Sequence, residues 1–396
     1  MKMKGEMLIW TAFGRELPGI PCFWQNHQLN DRTVAKGISA LAGVQINHTF
    51  VQTFAQVSHK VTIADIARKL AIAPATVSRA LNGHPAISDK TRKLVEKTAS
   101  KLQYKRNNIA SSLRSGKSNL IGVIIPSAEI NFFGSVVHGI EKLANEKGYN
   151  VLIYQSNESR DQEKKGLETF LHARVDGILV SIAKDTTDYE HFKHIQAQGI
   201  PIVFFDRAKE ELNFPAVVVD DFKGGYAATE ELLKQGYERV AHIAGPAHMD
   251  VFHHRLQGYK AALKAYKKTF DPSLVVEGYV SIESGQQATE KLMSLPHPPD
   301  AIFAVEDFTA LGVLKQLKEM GKAVPGNIGV VGFANEMFGE HITPSLTTFD
   351  QQTVLMGKEA TGLLLQLLND EVTTTTHQRI MLEPIPVIRE SSCRKK

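Results

Sequence analysis

The chain has 396 residues, enough for two or three domains with a sizeable core. Hydrophobic residues make up 43% and charged residues 22%, the balance of a soluble globular protein, and no apolar run is long enough to cross a bilayer. Cys22 and Cys393 lie near opposite ends, which excludes a disulfide framework or a zinc-ligand spacing and fits a reducing cytoplasm.

The net charge of +4 is unevenly spread. Residues 60–118 hold 13 Lys+Arg against 3 Asp+Glu, leaving 33 basic and 39 acidic residues elsewhere. A compact cationic segment on an acidic body points to a polyanionic partner, although a basic stretch can also be a solvated face. Residues 1–59 show no clear periodicity, and three readings stay open for them: a disordered arm, a small module, or an upstream extension from a misplaced start. The opening "MKMKGEMLIWTAFG" lacks the sustained apolar core of a signal peptide.

From Thr62 the pattern sharpens. "TIAD" has the form of a capping box, and Ile63, Ile66, Ala67 and Leu70 follow on one helical face. A second helix is predicted to start at Pro74, because proline at the first helical position removes an N–H that would have no partner. Its buried stripe is Val77, Ala80 and Leu81. A third helix is expected from about Ser88, burying Leu94, Val95 and Leu102. Two short helices joined by "AIA", with a third behind, match a helix-turn-helix spanning 60–106. In such a unit the second helix enters the major groove. There Arg79 can pair with a guanine edge, Thr76 and Ser78 can reach bases or phosphates, and Ala75 permits close approach. The alternative is a three-helix packing unit whose Arg79 is merely solvated.

After "RSGKSN" the texture changes. The segments "LIGVIIP", "VLIYQS", "GILVS", "IVFFD", "VVVDD", "VAHIAG", "AIFAV" and "IGVVGF" are strand candidates, separated mostly by amphipathic helices such as "GSVVHGIEKLANEKG" and "GYAATEELLKQG". Near-continuous apolar strands alternating with helices imply parallel sheets covered on both faces, here divided into two lobes over 119–392. No G-x-S-x-G, Walker A, H-E-x-x-H or C-x-x-C motif occurs, so no enzyme chemistry stands out and no cofactor or metal is expected. "HMDVFHH" gathers His248, Asp250, His253 and His254, but the spacing matches no strong metal site and reads better as a surface or pocket-edge cluster.

Val61, Thr62, Asp65, then Thr76-Val77-Ser78-Arg79, Leu81 and Asn82, then Tyr104, Asn107, Ala110, Leu113 and Ile121-Gly122-Val123-Ile124-Ile125-Pro126 together resemble the lactose-repressor (LacI/GalR) family. The resemblance runs to about residue 390. It implies a homodimeric, sequence-specific repressor in the cytoplasm that binds a pseudo-palindromic double-stranded DNA operator. It implies major-groove contacts from Thr62, Pro74, Ala75, Thr76, Ser78, Arg79 and Asn82. It also implies a hinge helix over 107–118, where Asn107 and Ala110 support Leu113 as a wedge in the minor groove. Without the family, Leu113 reads as an ordinary linker residue.

The same resemblance implies a two-lobed, periplasmic-binding-protein-like sensor with a sugar-like effector between the lobes, held by Phe132, Phe133, Asp206, Arg255, Glu306, Asp307 and Asn335. Local alternatives stay open: Asp206 as a turn cap, Asp307 as a helix cap and the phenylalanines as core. The chain departs from the family at Ala71, Ala73 and Arg106, and at Glu306, Ala334 and the residue after Gly278, so the resemblance does not fix its operator, and two readings stay open for its effector: a compound other than the best-known sugars, or none. A solute receptor for a sugar transporter is the alternative from another class; it would require export.

Overall fold

The computed structural model describes residues 61–104, 117–369 and 378–394. The extension 1–59 and the hinge positions Asn107, Ala110 and Leu113 lie outside the described residues. The chain divides between Arg106 and Asn107 into two compact units, each treated by itself below.

Among the described residues the first unit has three helices: α1 (Ile63–Leu70), α2 (Pro74–Leu81) and α3 (Asp89–Lys101). Asp65 reaches back to the Thr62 backbone N–H at 2.9 Å and to its hydroxyl at 2.7 Å, which closes the predicted capping box. Ala71 ends α1 at φ 53°, and Ala73 precedes Pro74 with extended backbone and no side-chain cap. Ser88 caps α3 by accepting from the Thr91 N–H. Ile66, Ala67, Val77, Ala80, Val95 and Ala99 form the core, with Leu81, Leu102 and Tyr104 packed at its margin. Leu94 is a correction: it is 51% exposed, because Val95, Thr98, Ala99 and Leu102 already make the i, i+3, i+4, i+7 stripe. Leu94 lies one residue, about 100° of helix, off that stripe.

The second unit has two lobes. The first lobe contains β1 (Leu120–Ile125), α4 (Asn131–Glu146), β2 (Asn150–Gln155), α5 (Arg160–Ala173), β3 (Gly177–Val180), α6 (Glu190–Ala197), β4 (Ile202–Phe205) and β5 (Ala216–Val219). The second contains α7 (Asp221–Lys234), β6 (Val240–Ala244), α8 (Asp250–Ala265), β7 (Val275–Glu277), α9 (Ile282–Met293), β8 (Ala301–Ala304), α10 (Asp307–Glu319) and β9 (Gly329–Val331). The chain then runs through β10 (Thr348–Asp350), returns to the first lobe with α11 (Thr353–Leu368) and β11 (Arg379–Leu382), and ends with β12 (Ile385–Val387).

The first sheet has the order β11-β5-β4-β3-β1-β2 and the second β7-β6-β8-β9, all parallel, while β10 and β12 form an antiparallel pair. Every residue of β3, β4, β5, β6 and β8 is buried, as helices on both faces require. The eight apolar runs became β1–β6, β8 and β9. Strands β7, β10, β11 and β12 were not anticipated, and the helices α4 and α7 begin three or four residues earlier than their patterns suggested. Three connections join the lobes, at β5–α7, β10–α11 and β11–β12.

Candidate functional site

On the first unit, α2 buries Val77 and Ala80 and turns Pro74, Ala75, Arg79 and Asn82 to solvent, with Thr76 and Ser78 half-buried beside them. The outward face therefore carries small and polar side chains around one guanidinium, and Arg79 has no ion-pair partner among the described residues. Asn82 donates to the Ser78 carbonyl at 2.8 Å, which secures the C-terminal end of the helix. Thr62 is engaged with Asp65 and also fixes the start of α1.

On the second unit, the segments leaving the carboxyl ends of both sheets line a cavity of about 380 Å³. The first lobe contributes Phe132 and Phe133 from the start of α4, Lys184 beyond β3, and Asp206 and Arg207 beyond β4. The second contributes Val251, Phe252 and Arg255 from α8, Val280 beyond β7, Glu306 and Phe308 beyond β8, and Ala334 beyond β9. Asp206, Val280 and Ala334 hold φ angles of 58°, 55° and 131°, so left-handed, non-glycine backbone gathers at this cavity.

Arg255 is 3% exposed and tightly held. Its Nε donates to Asp221 at 2.8 Å, Nη1 to the Val305 carbonyl at 2.7 Å and Nη2 to Gln351 at 3.3 Å. Its guanidinium also lies 3.8 Å from the Phe333 ring centroid. Two glycines allow this arrangement. A Cβ on Gly225 would meet the Arg255 carbonyl oxygen at 2.2 Å, and one on Gly258 would meet the Phe222 carbonyl oxygen at 2.1 Å. Without side chains at both positions, α7 and α8 approach closely enough for Asp221 to reach Arg255. Arg207 donates to Glu158 at 2.7 Å, and Lys184 lies 3.5 Å from the same carboxylate.

Burial dominates the titration of the acids here. It pushes Asp206 up to about 6 against the pull of Arg207, and Glu306 up to about 8 with help from Asp307 and Glu336. Glu306 is the N-cap of α10: one oxygen accepts from the Phe308 N–H at 2.9 Å and the Thr309 N–H at 3.4 Å. When protonated it can also offer an O–H donor. Burial lowers Lys184 below the usual lysine range.

Residues 118–390 match the model for periplasmic binding proteins and the sugar-binding domain of the LacI family, and residues 62–107 match bacterial regulatory proteins of the lacI family. The chain belongs to the LacI family. It is 34% identical to the HTH-type transcriptional repressor CytR of Escherichia coli K12 over 310 residues, covering 78% of this chain and 90% of that one. It is 32% identical to catabolite control protein A of Priestia megaterium over 317 residues, 80% and 95% of the two chains. Its structure is similar to that of a lac repressor dimer bound to operator and the anti-inducer ONPF, with a TM-score of 0.76, 26% identity and coverage of 84% and 99%. It also resembles a CelR–cellobiose complex, with a TM-score of 0.64, 28% identity and coverage of 84% and 99%.

The regulatory-protein match over 62–107 favours the LacI-family reading over a solute receptor. Of the seven expected effector residues, Phe132, Phe133, Asp206, Arg255 and Glu306 line one cavity. Asp307 and Asn335 do not. Asp307 turns inward, accepting from Thr348 at 2.7 Å and from the Glu336 N–H at 2.7 Å, while Asn335 donates to Asp350 and accepts from Arg389. The expected cap at Asp307 belongs instead to its neighbour Glu306. Lys184, Arg207, Val251, Phe252, Phe308 and Gln351 were not foreseen. Lys184 and Arg207 follow apolar strand runs by a few residues, so position beyond a strand end was the available signal for them. Among the described residues no helix is long and apolar enough to cross a membrane, and no group of His, Cys, Asp or Glu is suited to a metal.

Proposed function

We propose that this LacI-family chain is a cytoplasmic transcriptional repressor, not an enzyme, whose homodimer binds a pseudo-palindromic operator and whose DNA affinity is set by a small effector between the lobes. Three of the named relatives support this reading: CytR is a transcriptional repressor, the lac repressor dimer is bound to operator and the anti-inducer ONPF, and the transcriptional regulator CelR is in complex with cellobiose. The domain plan is a headpiece over 60–106, a hinge over 107–118 and a sensor over 119–392. The recognition residues are Thr62, Pro74, Ala75, Thr76, Ser78, Arg79 and Asn82, and the wedge is Leu113 with Asn107 and Ala110.

The observation that carries the proposal is the exposed guanidinium of Arg79 among small residues on α2, within a segment of 13 basic and 3 acidic residues. That face has the chemistry of base-edge readout. The effector is an uncharged, hydroxylated ring compound, a sugar or a derivative of one. Arg255 is matched by Asp221, and Arg207 and Lys184 share Glu158, so the cavity has no large excess of charge to offer. Phe132, Phe133 and Phe252 supply apolar surface for a ring, while Asp206, Glu306 and Arg255 supply polar groups for hydroxyls.

Selection of bound sites from random duplexes, with and without a panel of sugars and glycosides, tests both halves. The expected result is one two-fold symmetric site whose recovery changes with at least one neutral compound. Recovery of no preferred sequence under any condition would overturn the reading.

A further inference from the structure

The histidine-rich segment that opens α8 touches the opposite lobe. His248 donates from Nε2 to the Lys184 carbonyl at 2.6 Å. Asp250 pairs with Lys209 at 2.5 Å and accepts from the Glu210 N–H at 3.2 Å. His248 and Asp250 follow β6 in the second lobe, whereas Lys184, Lys209 and Glu210 follow β3 and β4 in the first. These contacts are separate from the three covalent connections between the lobes, and Lys184 also lines the cavity. We propose that His248 and Asp250 form a clasp with Lys184, Lys209 and Glu210 that holds the two lobes closed along one edge of the cavity.

Three features distinguish the clasp from incidental surface pairing. First, Lys209 and Asp250 side chains are 22% and 16% exposed, so their pair is less screened than an open surface salt bridge. Second, one carboxylate holds two groups of the opposite segment, fixing the Lys209 side chain and the Glu210 backbone together. Third, the pair and the histidine contact act in parallel on a single short stretch, so either alone still tethers the same segment. The burial of Lys209 opposes its charge, and Asp250 more than offsets that effect, raising the lysine above its ordinary range. Opening the lobes has to separate all three contacts. Residues 248 and 250, which do not themselves line the cavity, therefore act on the closed–open equilibrium of the sensor.

Electron–electron distance measurements test this in the full chain without any ligand. Nitroxide labels go on the exposed positions Gln196 and Lys318, one in each lobe, in a background with Cys22→Ser and Cys393→Ser. Labelled chains are diluted into unlabelled ones so that each pair reports a single subunit. Lys209→Asp and Asp250→Lys, each alone, are expected to shift the interlobe distribution toward longer distances. The double variant Lys209→Asp/Asp250→Lys is expected to recover part of the shorter distances through the ion pair alone, since a lysine cannot accept from the Glu210 N–H, and His248→Ala should add to either single shift. The neutral pair Lys209→Met and Asp250→Asn gives the same reading if a reversed charge impairs folding. Identical distributions in all variants, or a double variant no shorter than its singles, would overturn the clasp. DNA binding is not measured, so that outcome leaves the proposed repressor function standing or falling on its own test.

Discussion

Ala71 ends α1 in the left-handed region (φ 53°), where a β-carbon costs about 1 kcal/mol or more relative to glycine. Two residues on, Ala73 occupies the cap position of α2 with extended backbone and no hydroxyl to offer. A serine in that conformation contributes about 1 kcal/mol through its bond to an otherwise unpaired helix N–H. Ala71→Gly and Ala73→Ser should each stabilise the three-helix unit by about 1 kcal/mol. Hydrogen exchange at the Ile66 and Val77 amides of the full chain would register this as roughly fivefold slower opening for each. Unchanged exchange at both would remove strain and missing caps as features of this headpiece.

Buried acids and a buried histidine give the sensor opposite pH limits. Glu306 titrates near 8 rather than 4.5 because burial disfavours its charge. Its contribution to stability is therefore complete below about pH 4.5 and lost as pH rises through about 8. Glu306→Gln should flatten the alkaline fall in stability of the core unit, by on the order of a few kcal/mol. His242 lies fully buried between Phe303 and Tyr259, and burial holds it down to about 4 against an ordinary 6.5. Its contribution is present above pH 6.5 and lost as pH falls through about 4, so His242→Phe should lessen acid unfolding. Melting temperatures across pH 4 to 9 test both signs.

At the scale of elements, one of the two glycine-mediated helix contacts in the second lobe also places a site residue. Gly225 and Gly258 bring α7 against α8, and Asp221 on α7 then meets Arg255 on α8. Gly225→Ala should force the helices apart, cost about 1–3 kcal/mol of core stability and weaken effector binding together. Calorimetry of folding and of ligand binding on the same variant would separate these, and loss of stability with full binding would contradict the positioning role. The elements read from sequence included those with a long or periodic apolar signal: α1, α2, α3, α4, α7 and the runs that became β1–β6, β8 and β9. The short strands escaped for a physical reason. The segments "VVE", "TFD" and "IPV" have three residues each, "VVE" and "IPV" lie partly exposed, and β11 places exposed Met381 at a sheet edge. Such strands are made by their neighbours more than by their own composition. Glu306 and Asp307 show the same limit within a site: adjacent carboxylates face opposite ways, and only the surrounding fold tells which enters the cavity.

At the scale of the whole molecule, a cationic reader precedes a sensor whose lobes meet at residues far apart in sequence, such as Lys184 with His248 and Lys209 with Asp250. Neither juxtaposition can be read from local pattern, whereas the charge division between the two parts can. Effector control requires the ligand to favour one lobe arrangement over another, because equal affinity for both would shift nothing. DNA recognition here rests on α2 reading sequence through Arg79 in a symmetric dimer. The most direct test is a base-by-base affinity profile of the selected operator for the protein and for Arg79→Ala at one salt concentration. Two mirrored half-sites are expected, with the variant weaker by about 1–3 kcal/mol and indifferent at one position in each half. A variant with the same preferences at every position, or a parent protein with none, would contradict it.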